Sequence, residues 1–334
     1  PVVRALVSTV SSPASLATFT LTMQALLNTI RDAVIPDDAQ RLFHGRGGRH
    51  ADCAQWSLDV YPPVWVLTSF KHMSDAALDA VDVALRERWA RQNVAADLCW
   101  VYQCRESGFA ETRLMAGQVP DPHIVTESGL RYMVHVLKGQ NHGLFLDMAA
   151  GRTWVRQWAA GNPHGNVLNL FAYTCAFSVA AKAGGAGQVI NIDMSGGAIG
   201  VGQQNHHLNE QADGVAFLAH DIFKSWGKLK RGAPYDLIIV DPPSYQKGSF
   251  IATKDYAKLI RRLPDLLAND ANVLLCLNAP ELDVAFLMAQ VAENAPALQW
   301  VERVANPEVF ADVSPDRALK VLVYRMQPGI ETAG

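Results

Sequence analysis

The feature that most constrains this chain is a series of short apolar runs, each followed by a helical pattern, that begins near residue 167. The runs at 167–171, 189–192, 215–218, 237–240 and 273–277 are apolar almost throughout rather than alternating, as strands buried on both faces are. Helical patterns open at Ala176, Gly197, Ala252 and Leu282, and two further strands are expected at 300–304 and 319–324. Strand and helix in alternation call for a parallel sheet with helices on both faces. The expected class is α/β: a doubly wound, mostly parallel, seven-stranded sheet.

Upstream the pattern changes. Phe19, Met23, Leu26, Leu27 and Ile30 recur at helical spacing, which predicts an amphipathic helix within residues 14–30. A Gly-rich turn at 45–49, apolar runs at 56–60 and 64–70, a helical pattern at 75–92 and a short run at 98–103 follow. This order predicts a smaller α+β module over residues 1–122. Polar residues with Pro120 and Pro122 then mark a linker, and residues 123–334 form the expected catalytic domain. Leu130, Tyr132, Val134 and Val136 alternate before a turn at 139–143, so that domain is expected to open with a β-hairpin at 128–148.

Composition narrows the function classes. With 49% hydrophobic and 18% charged residues the chain can bury one large core or two modest ones, and its net charge of -3 gives no global attraction to polyanions. The five scattered cysteines show no metal-like spacing, which fits a reduced, cytoplasmic protein. The apolar stretch at 14–30 is too often interrupted by Thr, Gln and Asn for a signal peptide or a membrane span. His206 and His207 are adjacent, so they cannot face one metal, and they read as surface histidines. No metal and no membrane partner is expected.

In open α/β sheets, ligands bind beyond the carboxyl ends of the strands. Four strand ends carry candidates. The first is Phe171-Ala172-Tyr173-Thr174-Cys175-Ala176-Phe177, a turn opening a helix whose N–H groups can meet a carboxylate or phosphate. It holds no glycine, which argues against a nicotinamide dehydrogenase with its G-x-G-x-x-G. The second is Asp193, about twenty positions on, where a carboxylate accepts both hydroxyls of a ribose; a helix cap is the alternative. The third is His220-Asp221-Ile222, where Asp221 suits an exocyclic amine and Ile222 an adenine ring, against the alternative of a surface Asp. The fourth, Asp241-Pro242-Pro243-Ser244-Tyr245, is the most specific: two prolines fix an extended turn that holds Asp241 and Tyr245 at the crevice.

Asn169-Leu170-Phe171-Ala172-Tyr173-Thr174, Asp193-Met194-Ser195, the stretch 205–209 and Asp241-Pro242-Pro243-Ser244-Tyr245 together resemble class I SAM-dependent methyltransferases of bacterial 23S ribosomal RNA. That family includes cytosine-C5 and guanine-N7 enzymes. The segment from Gly139 to Asp147, with Arg152, is similar to the family's stretch just before the sheet. The resemblance implies a Rossmann-like methyltransferase domain that uses S-adenosyl-L-methionine. It implies that Asn169, Phe171, Ala172, Tyr173 and Thr174 support the methionine part, that Asp193 with Met194 beside it meets the ribose, and that Asp221 and Ile222 meet the adenine. Phe145, Asp147 and Arg152 would help enclose the cofactor, and the turn from Asp241 to Tyr245 would line the target-base pocket. Two departures stand out: Cys175 or Ala176 occupies a position where most relatives have glycine, and Asn141-His142 replaces a Lys-Thr pair. Before residue 120 no convincing RNA-binding PUA module is visible.

Methylating C5 of cytosine requires a nucleophile, normally cysteine, to add at C6. At the family's cysteine position this chain reads Asn278-Ala279-Pro280, and Cys276 lies inside a strand, where a small buried hydrophobe is the default. The expected function is therefore methyl transfer to a base of ribosomal RNA, with nitrogen favoured over cytosine C5. Asp241, Pro242, Pro243, Tyr245 and Asn278 form the catalytic group. A SAM enzyme for a small molecule or protein and an inactive SAM-fold binding module are the alternatives. Residues 223–262 carry nine Lys or Arg against three acidic residues, either a solvated helix face or a phosphate track. The arginines at 41–49 read equally as a second contact or a loop.

Overall fold

The computed structural model describes residues 23–92, 97–139, 141–243, 245–246 and 250–328. They divide into two compact units: one holds the described residues up to Pro36 with Leu42–Val119, the other Asp37–Arg41 with the chain from Pro120 onward.

The first unit is built on a five-stranded sheet. Helix α1 (Gln24–Asp32) precedes β1 (Gln40–His44), β2 (Trp56–Tyr61) and β3 (Val64–Ser69), and α2 (Asp75–Gln92) precedes β4 (Cys99–Glu106) and β5 (Phe109–Ala116). The strands lie in the order β1-β2-β3-β4-β5. Strands β3 and β4 run parallel, and α2 supplies the crossover that such a pair needs. The helical spacing in α1 delivers Met23, Leu26, Leu27 and Ile30 to a core containing Trp56, Trp65 and Trp100. Phe19, the fifth residue of that stripe, lies outside the described residues.

The second unit opens with an antiparallel pair, β6 (His123–Glu127) and β7 (Leu130–Val134). Here the hairpin expected at 128–148 is corrected. Leu130, Tyr132 and Val134 do alternate inward, but their partner strand lies before them. The turn is Ser128-Gly129, both at positive φ, the two-residue connection that matches strand twist. Residues 146–148 form a short 3-10 turn instead of a strand.

Helix α3 (Ala149–Gly161) then leads to β8 (Asn166–Leu170), α4 (Ala176–Gly184), β9 (Gln188–Asp193), α5 (Gly196–Leu208), β10 (Val215–Ala219), α6 (Trp226–Lys230) and β11 (Tyr235–Val240). A small ladder of β12 (Tyr245–Gln246) and β13 (Phe250–Ile251) comes before α7 (Ala252–Ile260), β14 (Leu267–Leu277), α8 (Val284–Asn294), β15 (Leu298–Arg303) and β16 (Lys320–Met326). The main sheet has seven strands in the order β10-β9-β8-β11-β14-β16-β15. Its first five strands are parallel, and β16 alone is reversed, antiparallel to both β14 and β15. The expected doubly wound α/β sheet is what the chain forms.

The period of two along each strand sorts the core. Ile238, Val240, Val273, Leu275 and Leu277 join Leu229, Tyr256, Leu259, Leu287 and Val291 in one apolar cluster, placing α6, α7 and α8 on one face. Leu237, Ile239, Leu274, Cys276 and Val321 join Val155, Ala159, Phe177 and Ala181 in another, placing α3 and α4 on the opposite face. Progression away from β8 reverses direction between β8 and β11. That switch point is where a crevice must open. Among the described residues no helix is long and apolar enough to cross a membrane.

Candidate active site

A cavity of about 430 Å³ opens at this switch point, within the usual range for small-molecule sites. The turn after β8 lines it through Phe171, Ala172, Tyr173 and Thr174, and β9 contributes Asp193. Asp241, Pro242, Pro243 and Asn278 come from the ends of β11 and β14. Phe145, Asp147 and Arg152 close it from the segment before the sheet. Five separate stretches of sequence thus meet in one pocket.

The turn after β8 is held in an unusual shape. Phe171, Tyr173 and Cys175 take φ of 57°, 47° and 60°, left-handed values that non-glycine residues adopt at a cost of about 1–2 kcal/mol each. Cys175 thus takes a backbone conformation that glycine adopts without strain. Tertiary contacts compensate. The Tyr173 N–H donates to Asp193 Oδ2 at 2.9 Å, the Thr174 hydroxyl donates to the Gly143 carbonyl at 2.6 Å, and the Asn205 amide donates to the Thr174 carbonyl at 2.9 Å. No side chain caps the N-terminus of α4, so its positive end faces the pocket at Ala176 and Phe177.

The 205–209 stretch works from behind. Asn205 accepts from the Met133 N–H at 2.8 Å and Asn209 from the Arg131 N–H at 2.9 Å, tying α5 to the edge of β7. Asn169 does not reach the pocket: it is 1% exposed and its amide donates to Asn191 Oδ1 at 2.9 Å. Asn191 donates in turn to Ser178 Oγ at 3.0 Å, and Ser178 lies 2.8 Å from His206 Nε2. Ser178 and His206 share one hydrogen bond, whichever of the two carries the proton, at the end of this buried chain of polar side chains. His206 is therefore no surface histidine. Burial pulls its pKa down to about 4, while His207 stays exposed.

Three further residues singled out in the sequence also fall outside the lining. Asp221 accepts from the Phe223 N–H at 2.9 Å and pairs with Lys224 at 3.3 Å, the behaviour of a cap. Ile222 is 2% exposed within the core, and Met194 is 52% exposed. Tyr245 contributes backbone to β12; its side chain lies outside the described residues.

The electrostatics of the pocket are one-sided. Asp147, Asp193 and Asp241 line it, whereas the one arginine there is already neutralised. Arg152 Nε and Nη2 donate to Glu127 Oε1 and Oε2 at 2.7 and 2.6 Å, and Nη2 also reaches the Phe145 carbonyl at 2.9 Å. Burial alone would lower the Arg152 pKa, but the Glu127 carboxylate outweighs it and raises it. Asp241 feels burial first and the Asp147 charge next, against a weaker pull from Arg152, and its pKa is pushed up to about 7. A cavity lined by three carboxylates, one of them driven toward neutrality by burial and then by the Asp147 charge, favours a cationic occupant.

Asp193 is prepared for a diol. It accepts from Tyr173 and Ser195 N–H groups at 2.9 and 2.8 Å, leaving about two of its roughly four lone-pair sites to accept more. SAM carries a sulfonium and an ammonium, a carboxylate, and a ribose. The residues present fit each: the acidic lining, the uncapped N-terminus of α4, and Asp193.

A buried lysine that sequence reasoning missed underlies Asn278. Lys320, at the start of β16 and 0% exposed, donates through Nζ to the carbonyls of Ala279, Leu282 and Asp316 at 2.8, 2.7 and 2.7 Å. It ties down the loop that follows β14. Only the default that lysines are exposed hid it.

A family model for S-adenosylmethionine-dependent methyltransferases matches residues 40–325. The chain belongs to this family. A Bacillus subtilis protein named as a candidate ribosomal RNA large subunit methyltransferase is 28% identical over 295 residues, 83% of this chain and 71% of that one. The ribosomal RNA large subunit methyltransferase I of Aeromonas salmonicida is 29% identical over 197 residues, 57% of this chain and 49% of its own length. The chain thus spans about half the length of that relative. A solved structure of a candidate SAM-dependent methyltransferase from Streptococcus mutans superposes with a TM-score of 0.79 at 24% identity, over 96% of this chain and 83% of that one. This methyltransferase therefore shares its fold with the streptococcal protein across both units.

Proposed function

We propose that this SAM-dependent methyltransferase methylates a ring or exocyclic nitrogen of a base in ribosomal RNA. The observation that carries the reading is Asp241, set beside Pro242, Pro243 and Asn278 at the pocket, with a carboxyl pushed up to about 7. A carboxylate of that strength accepts a hydrogen bond from an acceptor N–H and takes its proton near neutral pH. When bound, SAM supplies an activated methyl group on its sulfonium. The protein's part is alignment: Asp193 fixes the ribose, α4 orients the carboxylate, Pro242 and Pro243 hold a planar slot, and Asp241 aims the lone pair. Support for RNA comes from the names of the relatives, and for nitrogen from the cysteines.

All five cysteines are buried, and none lines the pocket. Cys276 is 0% exposed, and burial, with the charges of Asp241 and Asp147, raises its thiol pKa well above normal. A thiol that stays protonated is no nucleophile. Cys276→Ala is accordingly expected to retain methyl transfer within about twofold, while melting slightly earlier through the loss of about 1 kcal/mol of packing. Loss of activity with the fold intact, read by circular dichroism, would point back to carbon methylation.

Asp193→Ala should weaken SAM binding roughly 10- to 150-fold, the worth of charge-assisted hydrogen bonds, as read by calorimetric titration. Tyr245→Ala should leave that titration unchanged and lower turnover on RNA. The function itself is tested by tritiated methyl transfer from SAM to ribosomal RNA followed by nucleoside analysis. Label in 5-methylcytosine, or in protein alone, would reject the proposal.

A further inference from the structure

We infer that the outer surface of α7 and the turn after it form a phosphate-binding stripe that carries the RNA strand flanking the target base. This rests on the RNA reading above and adds a surface to it. Helix α7 begins at Ala252, just beyond the turn from β11 that lines the pocket, and leads to β14, which runs parallel to β11 and so starts at the end of the sheet opposite the pocket. Its apolar side is fully committed: Tyr256, Leu259, Ile260 and Leu263 are each 0% exposed in the core.

The opposite side is cationic. Lys254, Lys258, Arg261 and Arg262 are all exposed, and they recur at i, i+4, i+7 and i+8, one stripe down the helix with about 6 Å between successive turns. Only part of this charge is neutralised: Lys258 pairs with Asp255 at 2.9 Å, and Arg261 donates to the neutral Asn294 at 2.8 Å. On the same face of the sheet, α6 and the residue after it expose Lys228, Lys230 and Arg231. This concentration stands out in a chain of net charge -3.

The chemistry selects the partner. Amphipathic membrane-binding helices expose apolar residues beside their cations, and α7 exposes none. A purely electrostatic stripe leading away from a base-sized pocket matches a strand whose charges repeat along its length and whose bases are offered one at a time. Contacts of this kind position the strand and carry no sequence information. They would set affinity, and the pocket would choose the base.

The test is the salt dependence of binding to a fluorescent, mixed-sequence single-stranded RNA, comparing wild type with the triple variant Lys254→Gln, Arg261→Gln, Arg262→Gln. Each lost phosphate contact lowers the slope of log K against log salt by about 0.7, so the variant should lose about 2 from its slope. SAM titration and thermal melting should be unchanged, which shows the variant folded. An unchanged slope with tight wild-type binding overturns the stripe and leaves RNA methylation standing. No wild-type binding at low salt overturns both. Equal binding of anionic vesicles or polyglutamate, lost in the same variant, replaces RNA by another polyanion and also overturns the proposal.

Discussion

Asp241→Asn should lower kcat by about 10²- to 10⁴-fold, the usual contribution of a positioned general base, while changing SAM affinity little beyond the loss of one carboxylate. The pH profile carries the sharper signature. With a pKa pushed up to about 7, the wild-type carboxyl is protonated below that value and ionised above it. Activity limited by its ionised form rises with pH through neutrality and then levels. The asparagine variant should show a flat residual profile over the same range. A cationic ligand seated beside the group favours ionisation, so saturating SAM should move the inflection to lower pH.

Stability should move the other way. Because the folded-state pKa lies above the ordinary carboxylate value, the folded protein binds more protons than the unfolded chain between about pH 4 and 7. Stability due to Asp241 is therefore greatest below that window and falls as pH rises through it. Asparagine removes this fall, so the variant should melt later than wild type at pH 8 and no later at pH 4. A variant both less active and less stable at pH 8 would mean that Asp241 serves the fold and not the chemistry.

Arg152→Met should destabilise the protein by about 3–5 kcal/mol, because it leaves Glu127 charged, buried and unpaired. A thermal melt should fall by on the order of 10 °C. The double variant Arg152→Met, Glu127→Leu distinguishes the stranded charge from mere loss of contacts: it should recover most of the stability, since apolar replacement of a whole buried pair is often neutral. Arg152 also pulls the Asp241 carboxyl down. In the double variant the activity inflection should therefore move upward in pH even where the fold has recovered.

The sheet was legible because strands such as 237–240 and 273–277 are buried on both faces and cannot disguise their apolar runs. The hairpin was half legible. Leu130, Tyr132 and Val134 announce a strand, but its partner begins with His123 and ends with Glu127, residues that look solvent-facing until Arg152, 25 positions on, appears beside Glu127. That Asp193 and Asp241 line the pocket was readable from their places at strand ends. That Asp221 caps the turn at 222–224 and stands outside the pocket lining was not, since a carboxylate at a strand end looks the same in sequence in either place. The shifted acidity of Asp241 depends first on burial and then on Asp147, and both arise only on folding. Lys320 depends on three carbonyls drawn from separate segments, for which no sequence pattern exists.

The left-handed turn at Phe171, Tyr173 and Cys175 bears on when the cofactor site comes into being. Local preference opposes each of those three conformations, so nothing in the segment by itself would build them. They are imposed by Asp193 at the end of β9, by Asn205 on α5, and by Gly202, where any Cβ would collide with the Cys175 thiol. The loop thus has its shape only where β9 and α5 are docked against it. A chain interrupted after α4 would hold every residue of the loop and still lack its shape. Conversely, replacing Cys175 by glycine is a single step that would make the same shape locally cheap, freeing α5 to change without abolishing the pocket.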